Sequence, residues 1–108
     1  MNISASEFSS RHQESNLLII VDVREQLEFN TFNLGGNNIP LGTLIRDIEE
    51  LEYSKDEEII VICQHGLRSE TARQVLSKHG YNNVRNLTGG IVGIQKLKIQ
   101  TLPRFFAT

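Results

Sequence analysis

Short apolar runs rich in β-branched residues alternate along the chain with stretches whose apolar positions recur every three or four residues. The runs are residues 17–23 (Leu-Leu-Ile-Ile-Val-Asp-Val), 59–62 (Ile-Ile-Val-Ile) and 83–87 (Asn-Val-Arg-Asn-Leu). The first two are nearly continuous in apolar character, the pattern of strands covered on both faces, as in a parallel sheet. Leu41, Leu44, Ile45, Ile48 and Leu51 keep helical spacing and predict an amphipathic helix over residues 43–52, with Thr43 as its N-cap. Ala72, Val75, Leu76 and His79 form one stripe of a helix over 69–79, with Lys78 suited to its negative end and Gly80 to its stop. Shorter helices are expected over 24–32, with Glu25 favourable near the start, and over 91–98. Ser4 or Ser6 can cap a helix that buries Phe8. Residues 33–38 (Asn-Leu-Gly-Gly-Asn-Asn) are turn chemistry, ended by Ile39-Pro40, and the acidic stretch 49–58 reads as a solvated helix end and loop.

Strands alternating with helices predict an α/β fold with a mainly parallel sheet. The 108 residues suit one domain with a modest core, its body over about 4–98 and a tail over 99–108. Ligands of such sheets bind beyond the carboxyl ends of the strands. Cys63 falls at one such end, and Asp22 and Arg24 at another.

Composition narrows the function classes. Hydrophobic residues make up 39% of the chain and charged ones 22%, ordinary for a globular protein. No apolar run approaches the ~20 residues of a membrane helix, and the N-terminus lacks a basic start followed by an apolar stretch, so neither a membrane span nor a signal peptide is expected. A lone cysteine forms no internal disulfide, and no set of sulfur ligands suggests structural zinc. A reducing, cytoplasmic setting is the simplest expectation. The net charge of −2 hides an asymmetry: residues 1–58 carry twelve acidic and four basic side chains, residues 59–108 one acidic and seven basic. Either the half holding Cys63 attracts small anions or an acidic partner, or the two halves neutralise each other across the folded surface. The basic residues are scattered, which argues against nucleic acid.

The chemistry concentrates in residues 63–69, Cys-Gln-His-Gly-Leu-Arg-Ser. A sulfur at the end of a strand, before a short loop and a helix N-terminus, faces unpaired backbone N–H groups and the positive end of a helix dipole. The loop between Cys63 and Arg68 (Gln64, His65, Gly66 and Leu67) is so short that it must curve tightly for its N–H groups to converge on the sulfur. Gly66 is the natural position for a backbone conformation other residues resist. Such an anion-binding nest, with Arg68, should lower the thiol pKa below the free value of about 8.5. Cys63 would then attack a sulfur electrophile such as thiosulfate or a polysulfide and carry a persulfide, which a second nucleophile removes. The chemistry needs no metal or organic cofactor. His65, beside the nest, could tune the thiolate or could be a plain exposed loop residue. His12 and His79 carry no functional signal.

These residues resemble the rhodanese-like, single-domain sulfurtransferases. The matching stretches are Val21-Asp22-Val23-Arg24 with Glu28 and Phe29, Ile39-Pro40-Leu41, Cys63-Gln64-His65-Gly66-Leu67-Arg68-Ser69, and Asn86-Leu87-Thr88-Gly89-Gly90-Ile91. The resemblance implies a five-stranded parallel sheet flanked by helices on both faces. It implies Cys63 as the persulfide-forming nucleophile, residues 64–69 as the active-site loop, and Arg68 as an anion ligand. The partners it implies are a small anionic sulfur donor and a thiol or protein acceptor. Asp22 and Arg24 match the family's Asp-x-Arg and are expected to brace neighbouring loops by an ion pair or hydrogen bonds. Four residues between Cys63 and Arg68 resemble the sulfurtransferase loop rather than the longer one of the phosphatases sharing the fold, which disfavours a phosphatase or arsenate reductase. Where many relatives have His-x-Pro-Gly-Ala, this chain has Asn33-Leu34-Gly35-Gly36, and the tryptophan common after Gly-Gly-Ile is absent. A catalytically silent binding module is the alternative, with Phe105 and Phe106 available as a partner surface.

Overall fold

Strands and helices alternate through residues 1–15 and 17–100, the part of the chain that the computed structural model describes. In chain order the elements are β1 (Asn2–Ile3), α1 (Ala5–Glu14), β2 (Ile19–Asp22), α2 (Gln26–Thr31), β3 (Asn37–Asn38) and α3 (Leu41–Arg46). A 3-10 turn (Ile48–Glu50), β4 (Ile59–Ile62), α4 (Leu67–Lys78), β5 (Val84–Leu87) and α5 (Gly90–Gln100) follow. The strands form one sheet in the order β1-β5-β4-β2-β3. Every neighbouring pair is parallel.

The sheet is buried on both faces, which explains the unbroken Ile-Ile-Val-Ile of β4. Successive side chains point to opposite faces. Ile59, Val61 and Cys63 therefore join Val21, Val23, Leu44, Ile48, Ala72, Leu76, Tyr81 and Val84 beneath α3, the 3-10 turn and α4. Ile60 and Ile62 join Ile3, Phe8, Ile20, Leu34, Leu87, Ile91 and Ile94 beneath α1 and α5. Registers of Ile19 with Ile59 and Ile59 with Val84 bring β2, β4 and β5 level. Their carboxyl ends, with Asp22, Cys63 and Leu87, thus share one edge.

Several local expectations hold with shifted bounds, and those for Thr43 and His79 do not. Ser4 caps α1, its Oγ accepting from the Glu7 amide at 3.0 Å, and Phe8 is buried. Glu25 and Glu28 form a capping box on α2. The helix expected over 43–52 instead starts at Leu41 after Pro40 and gives way to the 3-10 turn, so Thr43 lies inside it. Proline fits this start because the first helical N–H groups lack intrahelical partners. Strands β1 and β3, two residues each, have no apolar signature; they are defined by pairing, Asn2 with Asn86 and Val21 with Asn37. His79 is exposed rather than part of the buried stripe of α4. The tail with Phe105 and Phe106 lies outside the described residues. Among the described residues no helix is long and apolar enough to cross a membrane.

Candidate active site

The turn after β4 is built around one backbone conformation. Gly66 has φ +97°, in the left-handed region, and is the N-cap of α4. Helix α4 therefore begins at Leu67, two residues before the sequence pattern predicts, and Ser69 lies within its first turn. This brings backbone donors onto the sulfur: the Gly66 amide donates to Cys63 Sγ at 3.1 Å and the Ser69 amide at 3.3 Å. The Ser69 hydroxyl lies 3.2 Å from the same atom. Burial pushes the Cys63 thiol up, but hydrogen bonds to the sulfur, from the Ser69 hydroxyl when it turns that way and from the amides of Ser69, Gly66 and His65, outweigh it and leave the thiol below its ordinary value. Cys63 is only 1% exposed, more enclosed than the mouth of a loop suggests.

The loop's other side chains diverge. Leu67 is 79% exposed and His65 is exposed, so neither turns its side chain inward. Gln64 is half-buried and its Oε1 lies 3.4 Å from Arg24 Nη1. Arg68 directs both Nη atoms to Glu28, at 2.7 and 2.9 Å. The amides that hold the sulfur thus do so without the guanidinium. Arg68 beside Glu28 lowers that carboxyl to about 2. Arg85, likewise from the basic half, bonds Glu7 and Glu58 from the acidic half. For these residues the charge asymmetry ends in mutual neutralisation.

Asp22 and Arg24 meet beside this loop. Arg24 Nε and Nη2 donate to the Asp22 carboxylate at 3.0 and 2.8 Å, and Nη2 also donates to the Phe32 carbonyl at 2.6 Å. Asp22 is fully buried and Arg24 3% exposed. Asn38 Nδ2 donates to the carbonyls of Asp22 and Arg24, at 3.0 and 2.9 Å, tying β3 to the same turn.

Three contributors lay outside the sequence-based reading of the site. Asn86 donates to the Gly66 carbonyl at 3.1 Å and meets the Ser69 hydroxyl at 2.5 Å. Its signal was available: it shares strand parity with Val84, so a polar group points inward and needs a partner. Gly90 opens α5 against the loop from behind, where the Ile91 and Val92 amides donate to the carbonyls of Cys63 and Gln64 at 3.0 and 3.1 Å. Glu28, the partner of Arg68, is the third. Among the described residues no buried side-chain nitrogen or oxygen lacks a hydrogen-bond partner, and no three His, Cys, Asp or Glu side chains gather as metal ligands.

This geometry can be set beside known proteins. A family model, the rhodanese-like domain, matches residues 4–97. The "Adenylyltransferase and sulfurtransferase UBA4" of Meyerozyma guilliermondii is 30% identical over 95 residues, covering 82% of this chain and 22% of that protein. A "tRNA uridine(34) hydroxylase" of Leptospira interrogans is 32% identical over 96 residues, covering 84% and 26%. The chain spans about half or less of the length of these curated relatives. The crystal structure of a rhodanese-like domain protein from Staphylococcus aureus superimposes with a TM-score of 0.75 at 26% identity, covering 87% of this chain and 91% of that one.

Proposed function

The chain belongs to the rhodanese-like domain family, and on that premise we propose that it is a sulfurtransferase in which Cys63 carries the transferred sulfur as a persulfide. The observation that carries the reading is the convergence of the Gly66 and Ser69 amides on Sγ. Fixed donors around a buried sulfur favour its anionic form, and the anion is the nucleophile. A relative named as a sulfurtransferase supports the same class.

In the first half-reaction the Cys63 thiolate attacks the sulfane sulfur of thiosulfate. A new S–S bond forms, the old one breaks, and its electron pair leaves with sulfite. A persulfide or polysulfide donor would react alike, releasing a thiolate or a shorter polysulfide. The product Cys63–S–S⁻ keeps one negative charge, which the loop amides can hold. In the second half-reaction cyanide or an acceptor thiolate attacks the outer sulfur, and the bonding pair returns to Cys63 as thiolate. Asp22 and Arg24 hold the turn after β2 against Gln64 and do not touch the sulfur.

The test is mass spectrometry of the protein after incubation with thiosulfate and, separately, with glutathione persulfide. A gain of one sulfur atom, reversed by cyanide and absent in Cys63→Ser, is expected. Absence of that adduct with both donors at neutral pH overturns the reading.

A further inference from the structure

Beside the sulfur, one proton lies between two acceptors. Ser69 Oγ is 3.2 Å from Cys63 Sγ and 2.5 Å from Asn86 Oδ1, and a serine hydroxyl has a single hydrogen to give. The orientation of the Asn86 amide is set from its other end: the atom facing the Gly66 carbonyl, at 3.1 Å, must be Nδ2, because only an N–H can donate there. Oδ1 is therefore the atom facing Ser69. Two oxygens that close repel unless a hydrogen lies between them, so the Ser69 proton is directed to Asn86. The sulfur then faces a lone pair of Ser69 Oγ. A protonated Cys63 completes the chain by donating to Ser69. A thiolate gains the hydroxyl only if Ser69 turns its proton away from Asn86.

We propose that Asn86 is a positioning residue that acts through Ser69, competing with the Cys63 sulfur for the single hydroxyl proton and so setting how readily that sulfur carries negative charge. Its significance for catalysis rests on the reading of Cys63 as the sulfur carrier; the proton arrangement does not. Asn86 is 7% exposed and Ser69 fully buried, so water does not supply the missing partner freely. Asn86 also holds the Gly66 peptide whose N–H points at Sγ. Its two contacts act in opposite senses, one withholding the hydroxyl from the sulfur, the other securing an amide for it. Charged groups around this turn are Arg68 with Glu28, from α4 and α2, Arg24 with Asp22, after β2, and Glu70 with Arg73, which follow Ser69 on α4. His65 is exposed in the loop.

The experiment is a double-mutant cycle read as the pH profile of Cys63 alkylation in the wild type, Asn86→Ala, Ser69→Ala and the double variant. Removing Asn86 while Ser69 is present frees the hydroxyl for the thiolate. The pKa change from Asn86→Ala should therefore be lower by about half a unit to one unit in the wild type than in the Ser69→Ala background, the span of one ordinary hydrogen bond. Equal changes in both backgrounds, or a difference of opposite sign, overturn the proposal. A second measurement needs no variant: the chain's single cysteine gives one S–H stretching band in the Raman spectrum below the thiol's titration. A band shifted down as for a thiol donating to oxygen is expected; a band at the frequency of an unbonded thiol overturns the proposal even if Asn86→Ala does not fold. Neither readout depends on sulfur transfer, so failure of the persulfide assay leaves both interpretable.

Discussion

Gly90 lies hard against the backbone of Cys63. A β-carbon there would stand 2.5 Å from the carbonyl oxygens of both Cys63 and Gln64, and Gly90 has φ +61°. The close approach lets the next two amides of α5 bond those carbonyls, so the loop is held from behind by a helix as well as from within by its own turn. Gly90→Ala should destabilise the protein by about 2 kcal/mol or more, from the clash and the left-handed backbone together. Urea unfolding measures it, and persulfide loading should fall in parallel if the turn that carries the displaced carbonyls holds the reacting sulfur, as proposed. A variant within about 0.5 kcal/mol of wild type would show that the turn adapts.

The buried pair of Asp22 and Arg24 makes a sharper demand on stability. Arg24→Ala leaves a fully buried carboxylate without its guanidinium, and breaking such a pair from one side costs about 3–5 kcal/mol. Arg24→Lys should recover little, since one ammonium cannot reproduce the fork that reaches both Asp22 and the Phe32 carbonyl. Denaturant midpoints of the two variants check this; near-complete recovery by lysine would show that charge alone matters.

The Arg68–Glu28 pair should make part of the stability acid-sensitive. Glu28 is lowered from 4.5 to about 2, chiefly by its hydrogen bonds with Arg68. Because the folded value lies below the unfolded one, the pairing contributes fully above about pH 4.5 and is lost as pH falls towards 2. Wild type should melt above Glu28→Gln at neutral pH, with the gap closing across that window. Both side chains are more than a third exposed, so the gap should be small. Thermal melts from pH 7 to 2 decide; a gap unchanged by pH would assign it to something other than the carboxylate.

The same pair bears on donor binding. With both Nη atoms committed to Glu28, Arg68 offers an incoming anion a neutralised partner. Glu28→Gln should free that charge and lower the KM for thiosulfate severalfold, with a smaller change in kcat. Steady-state thiocyanate formation reads both constants. An unchanged or higher KM would mean that Arg68 does not meet the donor.

How much of this was legible beforehand follows from the range of each interaction. Periodicity in residues 59–62 and 72–76 located the central strand and its helix, because apolar spacing records which faces are covered. Cys63, Gly66 and Ser69 could be grouped because their contacts span six residues or fewer. The element bounds moved where capping overrode pattern, as at Pro40 and Gly66.

Beyond that range, folding decided. β1 and β3 are two polar-bearing residues each, and only their neighbours make them strands. Arg68 finds Glu28 across 40 residues and Ser69 finds Asn86 across 17, distances at which local propensity carries no information. The chain by itself specified a strand-end sulfur, a tight glycine turn and a helix start, all consequences of backbone geometry over a few residues. Which proton that sulfur can claim, and which carboxylate occupies the nearby arginine, depended on the packing of β5 and α2 against the turn, because side chains choose partners only once the sheet has brought them within reach.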